Sequence, residues 1–260
     1  MPKIDKHAPG TLCWIELATT NQAGAKDFYS SLFGWTPVDS PMGPDAFYTI
    51  FQLNGQQAAA AFAMNAEEQR TVPVHWHLYV AVDSADAAVI RAQELGGKVI
   101  EGPFDVQTFG RMAVLQDPTG AFFSVWQSKD HIGMTVAHEN GAFCWADLST
   151  PDPARAKQFY EGLFGWKIGP APNYPPEYLV IQQNGRPMAG IGPAAQRNPQ
   201  VPPHWMLFFL AADVDGIAAK AKELGGTLHL APMSMGDARM AVLADPQGAA
   251  FSVIRPPSVA

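Results

Sequence analysis

The stretch GTLCWIEL at residues 10–17 returns as GAFCWADL at residues 141–148. Four further motifs recur in the same order: FYxxLFGW at 28–35 and 159–166, HW at 75–76 and 204–205, ELGG at 94–97 and 223–226, and RMAVLxDPxG at 111–120 and 239–248. The offset between the copies falls only from 131 to 128 residues, so the two copies differ by very small insertions and deletions. Because a repeat of this kind decides the whole architecture, we interpret the chain as a tandem duplication.

Length and composition agree with two globular domains. The chain has 260 residues, whereas a typical domain has roughly 100–200. Hydrophobic residues make up 47% of the sequence and charged residues 16%, which excludes a disordered chain. We predict a first domain at residues 1–133 and a second at 134–260, with the boundary near Gly133.

Charge and hydropathy exclude several classes of partner. Lys and Arg number 17 against 24 Asp and Glu, for a net charge of −7, and no basic stripe is present, so we expect no nucleic-acid partner. The longest apolar run, residues 206–212, is far below the roughly 20 residues of a membrane span. The N-terminus lacks the hydrophobic region of a signal peptide, and Cys13 and Cys144 are too few for a disulfide framework. We therefore expect a cytoplasmic protein with reduced thiols, either a monomer with two pseudo-equivalent domains or a homodimer.

Helix boundaries are signalled alike in both copies. Asn21 is a predicted N-cap, and Gly34 is predicted to end the helix that follows. In the second copy Asp152 is the predicted cap, Pro153 takes the first helical position and Gly165 ends the helix.

Strand signals surround these helices in a fixed order. The first copy has strand patterns at residues 12–19, 46–53, 57–64, 75–82, 112–115 and 121–126, with one more strand through Val99 and a second helix at 85–95 ended by Gly96. Asn54-Gly55, repeated as Asn184-Gly185, is the dipeptide typical of a tight hairpin. The order β-α-β-β-β therefore occurs twice in each copy, which predicts an α+β fold of four modules.

This order of elements resembles the vicinal oxygen chelate superfamily, which includes glyoxalase I, extradiol dioxygenases, fosfomycin-resistance enzymes and bleomycin-binding proteins. The resemblance rests on Phe-Tyr in the first helix, Phe-Gly-Trp after it and Asp-Pro-x-Gly before the last strand, and it covers residues near 10–128 and again 141–255. The chain is especially similar to two-domain actinobacterial members. The resemblance implies that two modules pair in each domain as a curved half-barrel sheet that encloses a cavity.

The resemblance also identifies the positions at which metal-using members place their ligands. These positions, on the first, fifth and eighth strands, correspond to Trp14, His77 and Ser124 in the first copy and to Trp145, Met206 and Ser252 in the second. Indole, thioether and hydroxyl groups are poor partners for the divalent metals of such sites. We therefore expect no metal and no other cofactor. A shifted site that uses His75 and His77 with a nearby carboxylate stays open as an alternative.

Side chains two apart on a strand share a face, so a set of aromatic and polar residues is predicted to line the first cavity. The predicted ligand-binding residues are Trp14, Glu16, His75, His77, Tyr79, Phe122, Ser124 and Trp126. The second copy offers Trp145, Asp147, His204, Met206, Phe208, Ser252 and Ile254, a set with fewer polar groups. As an alternative, either cavity is filled by its own side chains. The smaller number of polar groups favours this alternative more for the second cavity than for the first.

Six further residues have weaker signals. Trp35 and Trp166 are predicted to be packing anchors, and Arg111 and Arg239 are candidates to pair with the carboxylates of Glu16 or Asp147. Cys13 and Cys144 alternate with the cavity-facing tryptophans and are predicted to be small buried hydrophobes.

Three functions follow as hypotheses. The first is a metal-free protein that binds a small aromatic or hydrophobic metabolite in the first domain. The second is a glyoxalase-type lyase or isomerase in which His77 or Glu16 is the general base, with Glu16 orienting His77 or forming an ion pair with it. The third is a non-catalytic scaffold.

Overall fold

The computed structural model describes residues 3–44, 46–172, 174–196 and 198–257 of the chain. Two eight-stranded sheets follow one another along the sequence, with residues 129–142 between them. Each sheet is curved and unclosed and is built from two β-α-β-β-β modules. The predicted α+β architecture of four modules is therefore confirmed.

Within the described residues, the first domain contains eight strands, two full helices and one short helix. Its elements are β1 (Leu12–Thr19), α1 (Gln22–Phe33), β2 (Thr36–Pro41), β3 (Phe47–Leu53), β4 (Gln56–Ala63), α2 (Glu68–Thr71), β5 (His75–Ala81), α3 (Ala85–Glu94), β6 (Lys98–Val106), β7 (Gly110–Gln116) and β8 (Phe122–Ser128). The strand order is β2-β3-β4-β1-β5-β8-β7-β6. The two modules therefore meet at the antiparallel pair of β1 and β5, in the middle of the sheet.

The second domain repeats this arrangement. Its elements are β9 (Phe143–Ser149), α4 (Pro153–Phe164), β10 (Lys167–Gly169), β11 (Leu179–Gln183), β12 (Arg186–Ile191), a 3-10 turn (Ala194–Gln196), β13 (His204–Leu210), α5 (Val214–Glu223), β14 (Thr227–Met235), β15 (Ala238–Ala244) and β16 (Ala250–Arg255). The order β10-β11-β12-β9-β13-β16-β15-β14 matches that of the first sheet strand for strand.

Local chemistry accounts for where the helices begin and end. The side chain of Asn21 accepts a hydrogen bond from the backbone N–H of Gly24, and that of Asp152 accepts one from Arg155. Gly34 ends α1 in the left-handed conformation, at φ 73°, which has no steric cost for glycine. The predicted caps are confirmed.

The hairpin turns also follow from their residues. Asn54 and Gly55 adopt φ values of 52° and 77°, and Asn184 and Gly185 adopt 53° and 76°. Positive φ at both central residues is typical of the turns that join twisted antiparallel strands. Both predicted hairpins are therefore present between the strands that the sequence places around them.

The helices lie between the two sheets and join the domains. α1 contacts α5, and α3 contacts α4, across the domain boundary. The indole of Trp35 donates a hydrogen bond to the carbonyl of Gly141 at 2.9 Å, and that of Trp166 donates to the carbonyl of Gly10 at 2.6 Å. Both indoles are 2% exposed, so the structure places them as packing anchors, as predicted.

The predicted carboxylate partners of two arginines are wrong. Arg111 forms two hydrogen bonds, of 2.8 and 3.0 Å, with Asp86 in the first turn of α3. Arg239 pairs in the same way with Asp215 in the first turn of α5. These arginines project toward the helix side of their strands, whereas Glu16 lies on the other face of the sheet.

No helix in the described ranges is long and apolar enough to cross a bilayer.

Candidate functional site

The predicted site residues of the first domain come from three adjacent strands. In the antiparallel pair of β1 and β5, Glu16 lies opposite His77 and Trp14 opposite Tyr79. β8 runs parallel to β5 and places Ser124 beside Tyr79. Because side chains alternate along a strand, these residues share the concave face, opposite the helices.

Glu16 is the centre of a hydrogen-bonded cluster on this face. Its Oε2 accepts a hydrogen bond from the hydroxyl of Tyr48 at 2.8 Å, and its Oε1 accepts one from Tyr79. The Nε1–H of Trp14 donates to the hydroxyl of Tyr48 at 2.8 Å. Burial raises the pKa of the Glu16 carboxyl, although the two phenols oppose that shift. Glu16 as a residue is partly exposed, although its carboxyl is held by both phenols.

His77 has a different partner from the one expected. Its Nε2 lies 2.8 Å from the Oγ of Ser124, whereas both oxygens of Glu16 bind tyrosine hydroxyls. The expectation that Glu16 orients His77 or forms an ion pair with it is therefore wrong. Burial, together with neighbouring His75, lowers the pKa of His77 to about 3. The imidazole is thus neutral near pH 7 and is a weak base there.

Aromatic rings close the first concave face. The ring of His131 lies 4.7 Å from that of Trp14 and 5.9 Å from that of Trp126, measured between centroids. Trp14 is 3% exposed and Trp126 6%. His75 lies at the rim and is partly exposed, and Phe122, at the start of β8, is 46% exposed.

The second domain contains a shorter version of the same cluster. The hydroxyl of Tyr178 donates to Oδ1 of Asp147, and the Nε1–H of Trp145 lies 2.9 Å from both of these oxygens. Burial raises the pKa of Asp147 to about 6. An indole, a phenol and a carboxylate are therefore grouped in both domains.

Sequence reasoning missed Tyr48 and Tyr178, although both belong to these clusters. The repeat contains the signal that identifies them, because they are separated by 130 residues, as are Asn54-Gly55 and Asn184-Gly185. An identical polar residue at matching positions of two diverged copies marks a shared requirement. Their role was not apparent because β3, which contains Tyr48, and β11, which Tyr178 precedes, are not neighbours of β1 and β9 in the sheets.

The residues at the metal-ligand positions do not form the usual donor set. Trp14 presents only a donor N–H, and the imidazole of His77 is hydrogen-bonded to Ser124. In the part of the chain that the structure describes, no three His, Cys, Asp or Glu side chains are grouped as metal ligands.

The cysteines do not supply a nucleophile to either site. Both thiols are free and buried. Burial raises the pKa of the Cys13 thiol well above its ordinary value and that of Cys144 to about 12. Neither thiol ionises near neutral pH, which agrees with the prediction of small buried hydrophobes.

This fold and these paired sites define a glyoxalase-like two-domain protein. Residues 11–125 match the family model of the glyoxalase/bleomycin resistance protein/dioxygenase superfamily, and residues 145–254 match a model of a glyoxalase-like domain. The chain belongs to this superfamily.

Two relatives match over nearly the whole length. A Mycobacterium tuberculosis protein with the provisional name glyoxylase CFP32 is 38% identical, over 98% of each chain. The anthracycline biosynthesis protein DnrV of Streptomyces peucetius is 34% identical, over 96% of this chain and 95% of that one.

Two solved structures share the fold. The Mn(II)-bound glyoxalase of Novosphingobium aromaticivorans superposes with a TM-score of 0.63 at 16% identity, covering 95% of this chain and 82% of the other. The 2,3-dioxygenase LapB of Pseudomonas sp. KL28 superposes with a TM-score of 0.66 at 10% identity, covering 96% and 94%.

Proposed function

We propose that this protein binds a small aromatic molecule with hydroxyl groups on the concave face of its first domain, without a metal ion. The observation that carries the proposal is the cluster around Glu16, a partly exposed residue whose carboxyl is held by two phenols beside an aromatic wall. Aromatic walls with a few converging polar groups are typical of small-molecule sites. The hydrogen-bonded pair of His77 and Ser124 provides a second polar group on the same face.

The names of two relatives support an aromatic ligand. DnrV and DauV of Streptomyces are both described as anthracycline biosynthesis proteins, and DauV is 34% identical over 96% of this chain. Anthracyclines have fused aromatic rings with phenolic oxygens. A ring of that kind offers flat surface to the exposed Phe122 and the partly exposed His75, and a hydroxyl to the Glu16 cluster.

A glyoxalase-type lyase or isomerase is the second candidate function. The raised pKa of Glu16 favours it, because a general base works best when its pKa approaches the operating pH. Glu16 is the better candidate base of the two that the sequence offered, since the low pKa of His77 makes that imidazole weakly basic. Under this alternative the ligand recovered from the protein is chemically changed, which chromatography detects.

Removal of the imidazole should weaken binding at the first site. We expect His77→Ala to raise the Kd of a fluorescent anthracycline about 5- to 150-fold, or roughly 1–3 kcal/mol, because the buried hydroxyl of Ser124 then loses its hydrogen bond to the imidazole. Met206→Ala is the matched variant at the equivalent position of the second domain and should leave this affinity within a factor of two. Titration by fluorescence quenching measures both. If Met206→Ala abolished binding while His77→Ala bound the anthracycline normally, the binding site would not lie in the first domain.

Divalent metals should not stabilise the protein. A metal bound at 100 times its Kd adds about 2.7 kcal/mol to the free energy of unfolding. We expect Zn²⁺, Ni²⁺ and Mn²⁺ each to leave the urea midpoint of unfolding unchanged. Among Trp14, His77 and Ser124, only the imidazole of His77 is a good metal ligand, and it is already hydrogen-bonded to Ser124. A rise of that size that disappears in His77→Ala would contradict metal-independent binding.

A further inference from the structure

The two concave faces differ in how far their side chains close them. In the first domain Trp14 is 3% exposed and His77 8%. At the matching positions of the second domain Trp145 and Met206 are both partly exposed. The expectation that the second cavity is the more completely filled one is therefore not supported by the exposure of these residues.

The carboxylates of the two domains also differ in their free acceptor capacity. Both oxygens of Glu16 accept hydrogen bonds, one from Tyr48 and one from Tyr79. In the second domain Phe208 stands in place of Tyr79, and both donors to Asp147 go to Oδ1. Among the described residues, no side chain donates to Oδ2 of Asp147. That oxygen is available to a ligand.

A hydroxyl on the same face, two strands away from this carboxylate, lacks a partner as well. Ser252 is 0% exposed, and its Oγ has no hydrogen-bond partner within the described ranges. The matching Ser124 binds the imidazole of His77, whereas Ser252 lies on the strand next to β13, which has Met206 at the histidine's position. A buried polar group without a partner is costly, so such an atom points to a missing ligand or water.

Three aromatic rings form a wall at the open side of the second face. The ring of Tyr174 lies parallel to that of Trp145, at 6.3 Å and 11°, and to that of Tyr178, at 5.3 Å and 8°. Tyr174 is 39% exposed. Gly190 makes room for Tyr178, because a Cβ there would lie 1.9 Å from the phenol oxygen. Residues 42–46, the corresponding loop of the first domain, contain no aromatic residue.

We propose that the concave face of the second domain is a separate binding site for a cationic alkylamine that carries a planar aromatic ring. The ring packs against the wall of Trp145 and Tyr174, and the ammonium group donates to the free Oδ2 of Asp147. Aromatic faces attract cations, and a carboxylate held between rings strengthens that preference over a neutral ligand. The hydroxyl of Ser252 lies at the floor of the site, where it can form a hydrogen bond with a polar group at the inner end of the ligand.

A matched pair of probes tests charge recognition. The probes are 2-naphthylmethylamine and 2-naphthylmethanol, which share one ring system and differ in charge, titrated calorimetrically into the full chain at pH 8. Because the pKa of Asp147 is about 6, its carboxylate is ionised there. We expect the amine to bind at least ten times more tightly than the alcohol. Equal affinities, or no binding of either probe at millimolar concentration, would overturn the proposal.

Variants of the second domain assign the site. Asp147→Asn should remove the preference for the amine, whereas Glu177→Gln, which removes an exposed charge next to Tyr178, should keep it. Tyr174→Leu removes an exposed ring and should weaken the binding of both probes about fivefold. The melting temperature should stay unchanged, which distinguishes loss of the aromatic wall from unfolding. Loss of amine binding in Glu16→Gln instead of Asp147→Asn would place the amine in the first domain and overturn the proposal, while leaving the proposed first site standing.

Discussion

Asp117→Ala is expected to lower the free energy of unfolding by about 3–5 kcal/mol, since it leaves several buried donors without an acceptor. Oδ1 of Asp117 accepts hydrogen bonds from the backbone N–H groups of Thr119, Gly120 and Ala121, at 2.7, 2.8 and 3.1 Å. Oδ2 accepts one from the hydroxyl of Tyr160 at 3.0 Å, across the domain boundary. Asp117 is 2% exposed, so water cannot replace these bonds without opening the turn.

Tyr160→Phe is the control, because it removes the hydrogen bond between the domains and leaves the three backbone hydrogen bonds to Asp117 in place. Its hydroxyl donates to Asp117 and accepts from the indole of Trp205, so we expect a loss of about 1–2 kcal/mol. Urea denaturation followed by tryptophan fluorescence measures both variants. If Asp117→Ala costs no more than Tyr160→Phe, the three backbone hydrogen bonds do not contribute as proposed. Asp245, which accepts from Tyr29, allows the same comparison in the second domain.

Gly133→Ala has the second large expected effect, a loss of more than about 3 kcal/mol of stability. Gly133 lies at φ 109°, a conformation that side chains rarely adopt, and a Cβ there would lie 2.1 Å from the backbone oxygen of Cys13. The next residue, Met134, donates its N–H to that same oxygen at 2.7 Å. The clash is with backbone of the central strand β1, so side-chain rearrangement cannot relieve it.

Gly43→Ala provides the matched control. A Cβ at Gly43 meets no atom within 4 Å, and the backbone there is not left-handed. We expect a change within about 1 kcal/mol, in the stabilising direction, because alanine restricts the unfolded chain. Thermal and urea denaturation of the two variants give the comparison. Similar stabilities for Gly133→Ala and Gly43→Ala would mean that the segment between the domains is not held against β1 as the structure shows.

Much of the candidate site could be predicted from alternation along single strands. Trp14 and Glu16 on β1, with His77 and Tyr79 on β5, face the same side as the sequence indicated. Their partners could not be predicted, since these depend on which strand lies next to which. The carboxyl of Glu16 binds Tyr48, a residue of β3, and β4 separates that strand from β1.

The sequence by itself determined the duplication, the four modules, the helix ends and the hairpins, because each depends on residues close together in the chain. Asn21, Gly34 and Asn54-Gly55 specify their local structure through backbone conformation and capping hydrogen bonds, whatever the rest of the fold does. Only the tertiary structure decided that Arg111 pairs with Asp86, and that Trp145 and Met206 are more exposed than their counterparts Trp14 and His77. These outcomes depend on packing and on distances between residues far apart in sequence, and no local pattern encodes them.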